Sequence, residues 1–274
     1  MVSDANRSIL WAACLASSKA PNPAIEGCCS LARTVALLPF LQKLKSHSQL
    51  TPMEEEALLS LPHEMAAFAP GDCIFEEGDR PDQCAVMVSG FACRYKSLPD
   101  GKRQILAIHQ RGDGMDLQNA LTVLMDNSVQ ALTHVEVALV PASEMNGLII
   151  KSASLARAMW IETLIDASIQ REWTLNVGSR DPRSRIVHLL CEIGVRQEGA
   201  GLARRDHYAL PLTQEQLADA TGLTAVHVNR VLQSLVGEGL VARDKGSLRM
   251  PSWDALTQVG QFTPDYLHPV QNAV

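Results

Sequence analysis

Hydrophobic and polar positions divide this 274-residue chain into one stretch with the period of β-strands and two stretches with the period of α-helices. Between residues 65 and 141, short apolar or alternating runs such as CAVMVSG and FACRYKS are separated by Gly-Asp and Asp-Gly turn signals. Six or more short strands with regular turns are typical of a small antiparallel barrel or jelly roll. We therefore predict an antiparallel β-roll here, with Phe91, Cys93 and Tyr95 on one face of a strand.

The chain before these strands carries weaker signals. Residues 1–33 have no sustained periodicity, and we interpret them as an N-terminal extension whose composition is compatible with disorder. A short helix is predicted from Thr34 to Lys45. Thr51 is predicted to cap a second helix, because Pro52 and acidic residues follow it in the first turn.

Residues 151–175 change to helical spacing. Apolar side chains recur every three or four residues at Ala158, Ile161, Ile165 and Ile169. This stripe is broader than one small domain needs, so we interpret residues 151–178 as a dimerisation helix and hinge; a helix packed only in its own core fits the periodicity equally well. Ser-Arg-Asp-Pro at 179–182 ends the segment, since a residue before proline is disfavoured in a helix.

The second helical stretch contains a helix-turn-helix pattern. Thr213 and Gln216 have the spacing of a capping box, so a helix begins there. Gly222 stands where that helix must end with a positive φ, and Thr224 can cap the next helix. GLVARDKGSLRM then predicts a β-hairpin, and a helix-turn-helix followed by a hairpin is a winged helix. The alternative is a helical corner without a role in DNA binding.

Charge and cysteine usage narrow the class of protein. The net charge of −6 argues against nonspecific coating of nucleic acid, although residues 176–250 carry ten Lys/Arg and eight Asp/Glu and so permit a basic face. Seven scattered cysteines, an odd number, indicate reduced thiols in the cytoplasm. The sequence has no apolar run long enough to span a membrane, and we expect no membrane partner.

The segments LTQEQLADATGLTAVHVNRVLQSL, GDCIFEEGD and VSGFACRYKSLPDGKRQI together resemble the Crp/Fnr superfamily of bacterial transcription regulators over roughly residues 36–262. The resemblance implies an α+β fold with an antiparallel β-roll or jelly roll of the cyclic-nucleotide-binding type, a long dimerisation helix and a C-terminal winged helix-turn-helix. The corresponding units are residues 34–150, 151–178 and 179–262, with a tail at 263–274. It also implies a homodimer that binds a (pseudo)palindromic site in double-stranded DNA under control of an unidentified signal, with RNA polymerase as a partner if the protein is an activator.

The resemblance also assigns residues to the DNA interface. The base-reading positions fall on Val226, Asn229 and Arg230, and Arg230 matches the family pattern for a bidentate contact to guanine. Val226 replaces a glutamate common in the family, so the DNA site should differ. Candidate contacts to the DNA backbone are Thr213, Thr224, His227 and, in the wing, Lys245. The first three can instead be helix caps or solvent-facing residues.

The sensor region departs from two patterns of the family. Cyclic-nucleotide-binding members hold the phosphate with a glycine-glutamate turn and an arginine, whereas here Asp113 and Asp116 occupy that region and no Arg or Lys lies between Arg111 and Lys151. This argues against cyclic AMP or cyclic GMP as ligand. Oxygen-sensing members carry an N-terminal cysteine cluster, but the spacing of the N-terminal cysteines here argues against an iron–sulfur cluster. We predict no metal and no other cofactor.

A sensor without DNA recognition and an enzyme are the two alternatives to a DNA-binding regulator. A sensor that has lost DNA recognition and acts through protein contacts is the alternative, and Arg230 distinguishes the two hypotheses. An enzyme is not expected, because the sequence shows no Ser/His/Asp, metal-ligand or phosphate-loop pattern.

Overall fold

The computed structural model describes residues 36–122, 124–244 and 247–268. The N-terminal half contains α1 (Leu38–Lys45), α2 (Pro52–Leu59), β1 (Glu64–Phe68), β2 (Cys73–Phe75), β3 (Gln83–Ser89), β4 (Phe91–Ser97), β5 (Arg103–Gln110), β6 (Gly114–Met115), a 3₁₀ turn (Leu117–Ala120), β7 (Ser128–Ala131), β8 (Val135–Pro141) and α3 (Ala142–Lys151). The C-terminal half contains α4 (Ala153–Ser179), α5 (Pro182–Gly199), β9 (His207–Ala209), α6 (Gln214–Thr221), α7 (Ala225–Gly237), β10 (Ala242–Asp244), β11 (Ser247–Arg249), α8 (Trp253–Gly260) and a 3₁₀ turn (Asp265–Leu267).

Two antiparallel four-stranded sheets form the predicted β-roll. Their strand orders are β1-β8-β3-β6 and β2-β7-β4-β5. Apolar side chains of both sheets, including Met87, Ala92 and Val137, pack together in its interior. The predicted fold class is confirmed.

The face predicted for strand β4 is confirmed. Cys93 is buried in an apolar cluster, and Phe91 and Tyr95 pack against the same cluster although the pairing of β4 with β5 shifts between Arg94 and Tyr95. Ala92 lies on the opposite face and is buried in the interior of the roll. Both faces of this part of β4 are therefore covered.

The helices around the roll follow the predicted signals with one omission. The Thr51 side chain accepts a hydrogen bond from the Glu54 N–H, and the Glu54 carboxylate accepts one from the Thr51 N–H, so the predicted cap is confirmed. Helix α1 begins at Leu38, and Thr34 lies outside the described residues, as do residues 1–33. Helix α3, which follows β8 directly, was not predicted.

The 27-residue helix α4 packs the predicted apolar stripe against other elements of the same chain. Ala158 is buried against residues of α1 and α2, whereas Ile165 and Ile169 belong to the core shared with α5. Ile161 is half-buried. The four positions predicted as a dimer interface therefore do not form an exposed seam, because intrachain packing uses the same periodicity. The large apolar side chains that α4 exposes are Trp160, Leu164 and Leu175.

The C-terminal half is a winged helix joined to α4 through a short turn. Asp181 caps α5 by accepting hydrogen bonds from the N–H groups of Arg183 and Ser184. The wing is a three-stranded sheet with the order β10-β11-β9, and its strand β9 was not predicted. No helix within the described ranges has both the length and the hydropathy needed to cross a bilayer.

Candidate DNA-binding site

The joint between α6 and α7 is built by three local signals. Thr213 and Gln216 make both hydrogen bonds of the capping box at the start of α6. Gly222 ends that helix with φ 65° and ψ 35°, a conformation that favours glycine. The Thr224 hydroxyl then accepts a hydrogen bond from the His227 N–H and caps α7. Residues 222–224 alone therefore join α6 to α7.

Helix α7 has one buried face and one exposed face. The buried side chains are Val228, Val231, Leu232 and Leu235. On the other side, Val226 is 70% exposed, and Asn229 and Arg230 are also exposed. Positions i, i+3 and i+4 lie on the same face of a helix, so these three predicted base-reading residues are together at the start of α7.

The two polar members of this face differ in their partners. The Asn229 Oδ1 accepts a hydrogen bond of 3.2 Å from the Gln214 side chain on α6. Gln214 was not among the predicted residues, and its position beside Thr213 gave no signal that it reaches α7. Arg230 has no hydrogen-bond or ion-pair partner among the described residues, so its guanidinium group is available to a ligand outside the chain.

The predicted backbone contacts surround this face. Thr213 and Thr224 are exposed and both cap helices, which is one of the two roles considered for them, while their hydroxyl hydrogens remain able to bond a phosphate oxygen. His227 is half-buried at the first turn of α7. Lys245 lies outside the described residues.

Two arginines of the wing were missed in the sequence. Arg243 on β10 and Arg249 on β11 are exposed on either side of the hairpin turn. Because β10 and β11 pair with each other, both arginines add positive charge to the same hairpin. Arg249 lies between the buried Leu248 and Met250, so alternation would have identified it, whereas Arg243 pairs with Leu248 and alternation would not have marked it as exposed.

The carboxylate of Asp116 in the interior of the sensor roll has a cationic partner that the sequence did not predict. Asp116 has φ 49° and a fully buried carboxylate, and its Oδ1 lies 3.0 Å from an Nη of Arg94 on β4. The expectation that this region lacks a compensating cation is therefore wrong, because the cation comes from a strand earlier in the chain. A cyclic phosphate would have to displace Asp116 from Arg94 and then lie beside that carboxylate, so these residues do not fit a cyclic nucleotide.

Asp113, the other carboxylate of this region, connects the two halves of the chain. It lies 2.9 Å from Lys43 Nζ on α1 and 2.9 Å from a guanidinium nitrogen of Arg196 on α5. Burial by itself would raise the pKa of Asp113, but these two cations lower the pKa to about 2. The carboxylate therefore stays ionised inside the protein.

The cysteines of the described residues are free thiols, and Cys84, Cys93 and Cys191 are buried. Burial raises the pKa of Cys84 to about 11 and of Cys93 and Cys191 to about 12. Thiols with such a high pKa are poor nucleophiles at neutral pH. Cys14, Cys28 and Cys29, the cysteines considered for a cluster, lie outside the described residues.

Comparison with known proteins matches each half of the chain to a family. Residues 65–152 match the model of the cyclic nucleotide-binding domain, and residues 184–259 match that of the Crp-like helix-turn-helix domain. The transcriptional activator protein FnrL of Cereibacter sphaeroides is 28% identical over 192 residues, which are 69% of this chain and 77% of that protein. The nitrogen fixation regulation protein FixK of Rhizobium meliloti is 26% identical over 73% of this chain and 89% of its own length.

Solved structures agree with this assignment at the level of the fold. The structure of FixK2 from Bradyrhizobium japonicum superposes with a TM-score of 0.68 at 24% identity, over 74% of this chain and all of that chain. A sensor β-roll, a long helix and a winged helix-turn-helix in this order define a DNA-binding transcription regulator of two domains. The two domain models together cover more than half of the chain, and the chain belongs to the Crp/Fnr superfamily.

Proposed function

We propose that this regulator binds a (pseudo)palindromic operator as a homodimer and reads it with the exposed start of α7. The observation that carries this proposal is the common exposure of Val226, Asn229 and Arg230 on the face of α7 opposite its buried side chains. In a helix-turn-helix protein this part of the second helix enters the major groove. A β-roll upstream supplies the control, by a signal that is not a cyclic nucleotide.

Arg230 is the principal residue for base recognition in this proposal. Its guanidinium group, which has no partner among the described residues, is suited to a bidentate contact with O6 and N7 of guanine. Asn229, held by Gln214, would contact adenine or a phosphate, and Val226 offers only apolar contact, such as to a thymine methyl group. The operator should therefore differ from that of members with glutamate at the position of Val226.

Affinity that is independent of sequence would come from the residues around this face. Thr213, Thr224 and His227 are the proposed phosphate contacts near the two helices, and Lys245 and Arg243 are those of the wing. Two copies in a dimer double these contacts, which offsets the acidic net charge of the chain.

The dimer interface of the proposal is the exposed apolar stripe of α4. Trp160, Leu164 and Leu175 are the large apolar side chains that this helix leaves in solvent. Pairing two such helices would place the two recognition helices in successive major grooves about 34 Å apart. Contact with RNA polymerase follows if the protein activates transcription, and DNA as partner places its action in the cytoplasm. No enzymatic step is part of this proposal.

The test is a binding comparison on operators selected from random DNA. Arg230→Ala should weaken binding to the selected site by ~1–3 kcal/mol while binding to unrelated DNA stays nearly constant. Gln258→Ala, an exposed position on α8, is the matched control and should change neither. An Arg230→Ala protein with unchanged operator affinity would show that the protein does not read DNA in this way.

A further inference from the structure

A cavity of about 360 Å³ lies where the sensor and the winged helix meet, outside the β-roll interior. Helix α1, the turn after β5 and the middle of α4 form its wall on the sensor side. The last turns of α5 together with Leu267 and His268 form its wall on the DNA-binding side. The volume is within the range of pockets that bind small molecules, roughly 300–1,000 Å³.

One wall of this cavity is aliphatic. Ile165 and Ile169 of α4 face Val195 of α5 and Leu267, so a hydrocarbon body would be desolvated on entering. These are two of the residues that the sequence predicted for a dimer seam.

The rest of the lining is mostly polar and includes several charged side chains. Four positively charged side chains line the cavity, Lys43, Arg111, Arg196 and Arg205, against the two carboxylates Asp113 and Glu198. Asp113 is bound by Lys43 and Arg196, which are also paired with the buried carboxylates Glu162 and Glu192, and Glu198 is paired with Arg205. Arg111 has no ion-pair or hydrogen-bond partner within the described part of the chain. Within the described residues, Arg111 is thus the cation of this lining that no carboxylate neutralises, and the same cavity has an aliphatic wall.

We propose that this cavity is a binding site for a small amphipathic anion, a carboxylate or phosphate carried on an apolar body. The acidic group would bind Arg111, and the body would lie against Ile165, Ile169 and Val195. The site is separate from the interior of the roll, where Asp116 forms an ion pair with Arg94.

The position of the site between two domains gives it a regulatory consequence, which rests on the proposed function. A bound anion contacts residues of both domains and therefore favours the arrangement in which they are docked. By linkage, an anion that changes operator affinity must have its own affinity changed by operator DNA to the same extent.

The experiment titrates three probes with the same hydrocarbon body into the full-length protein, without DNA, by calorimetry and thermal unfolding. Hexanoate and hexyl phosphate carry a negative charge, and hexan-1-ol does not. We expect at least one of the anions to bind and to raise the melting temperature, and hexan-1-ol to bind at least about tenfold more weakly. Equal binding of hexan-1-ol, or no binding of either anion, would overturn the proposal.

Two variants connect the binding to this cavity. Arg111→Gln removes the cation proposed to bind the acidic group, and Gly199→Glu adds a carboxylate to the lining at a position where a side chain meets no neighbour within 4 Å among the described residues. Both should weaken anion binding about tenfold. The matched controls are Arg80→Gln, another exposed arginine of the sensor, and Gly237→Glu, at the last residue of a different helix and also in open space.

Anion affinity that is unchanged in both cavity variants, or reduced equally in the controls, would contradict the assignment. Because no DNA is present in these titrations, their outcome does not depend on the role of Arg230.

Discussion

Arg103 on β5 and Asp219 on α6 form an ion pair between the sensor and the helix-turn-helix, with the Nε and one Nη of Arg103 2.9 Å and 2.8 Å from the same carboxylate oxygen. The Gln104 side chain donates a further hydrogen bond of 2.7 Å to the Asp219 carbonyl oxygen. Beneath these polar contacts, Ile105 of β5 shares a buried cluster with Leu217 of α6. The first helix of the DNA-binding motif is thus docked on a strand of the sensor.

The first prediction concerns the energy of this contact. Both side chains are partly exposed, so solvent screening limits the coupling between Arg103 and Asp219 to about 0.5–1 kcal/mol. A double-mutant cycle of Arg103→Ala and Asp219→Ala, read by denaturant unfolding, should give a coupling of this size. As a second readout, the reversed pair Arg103→Asp with Asp219→Arg should recover part of the stability lost in either single reversal. Strict additivity in both cycles would mean that the ion pair does not hold the domains together.

The second prediction concerns the dimer. Leu164 is 50% exposed on α4, between Trp160 and Leu175, and these positions are separated by four and eleven residues, as in a heptad seam. Leu164→Glu should therefore produce folded monomers in sedimentation velocity. Thr163→Glu, a neighbouring exposed position, is the control and should leave a dimer.

The same experiment distinguishes the exposed stripe from the buried one. Ile165 is only 6% exposed and is packed in the core of its own chain, so Ile165→Asp should lower the melting temperature of the protein itself. If Ile165→Asp gives folded monomers and Leu164→Glu gives intact dimers, the dimer interface is the buried stripe predicted from periodicity and not the exposed one.

The helix-turn-helix could be predicted from the sequence because its determinants are local. A cap at Thr213, a positive φ at Gly222 and a second cap at Thr224 lie within twelve residues, and each has one structural meaning at that spacing. The exposure of Arg230 follows from them, since the buried face of α7 is fixed by its apolar positions. The hydrogen bond from Gln214 to Asn229 depends on the angle between two helices and could not be predicted from the sequence.

The junction between the domains could not be predicted for a related reason. Asp113 meets Lys43, seventy residues earlier, and Arg196, eighty-three residues later, and no periodicity connects these three positions. The stripe on α4 shows a different limit. The apolar periodicity of a helix predicts that one face is buried, but it does not predict whether the same chain or a second copy of the chain buries it.

A third prediction tests which feature of α7 sets the operator sequence. Val226 is 70% exposed and has no hydrogen-bonding group in its side chain, so it cannot specify a polar base edge. Val226→Glu would introduce an acceptor for the cytosine amino group and should shift the preferred base at one position of each half-site. Selection from random DNA measures this shift. Gln258→Glu adds the same charge on α8, away from this face, and should leave the preference unchanged, whereas an identical change in both variants would indicate a nonspecific effect of charge.

A fourth prediction concerns pH and the buried histidine of the DNA-binding half. His188 on α5 contacts the Gly260 carbonyl oxygen and the Tyr266 hydroxyl group, each at 3.1 Å, with Glu172 3.6 Å away. Burial, and then the nearby charge of Arg180, lower the pKa of His188 from 6.5 to about 4. Between these two values the unfolded chain binds a proton that the folded chain does not. The free energy of unfolding should therefore decrease as the pH falls from about 6.5 to about 4, by on the order of 3 kcal/mol over the window.

Denaturant unfolding between pH 7 and pH 4 measures this slope. His188→Gln removes the titrating ring and keeps a side chain that can hydrogen bond, so the slope should become shallower in this variant even if its stability at pH 7 is lower. The same substitution at exposed His134 is the control and should keep the slope of the unmodified protein. His109, which is buried in the sensor and whose pKa burial also lowers, should account for much of the slope that remains in His188→Gln. If the slope of His188→Gln matches that of the unmodified protein, His188 is not neutral in the folded state for the reason given.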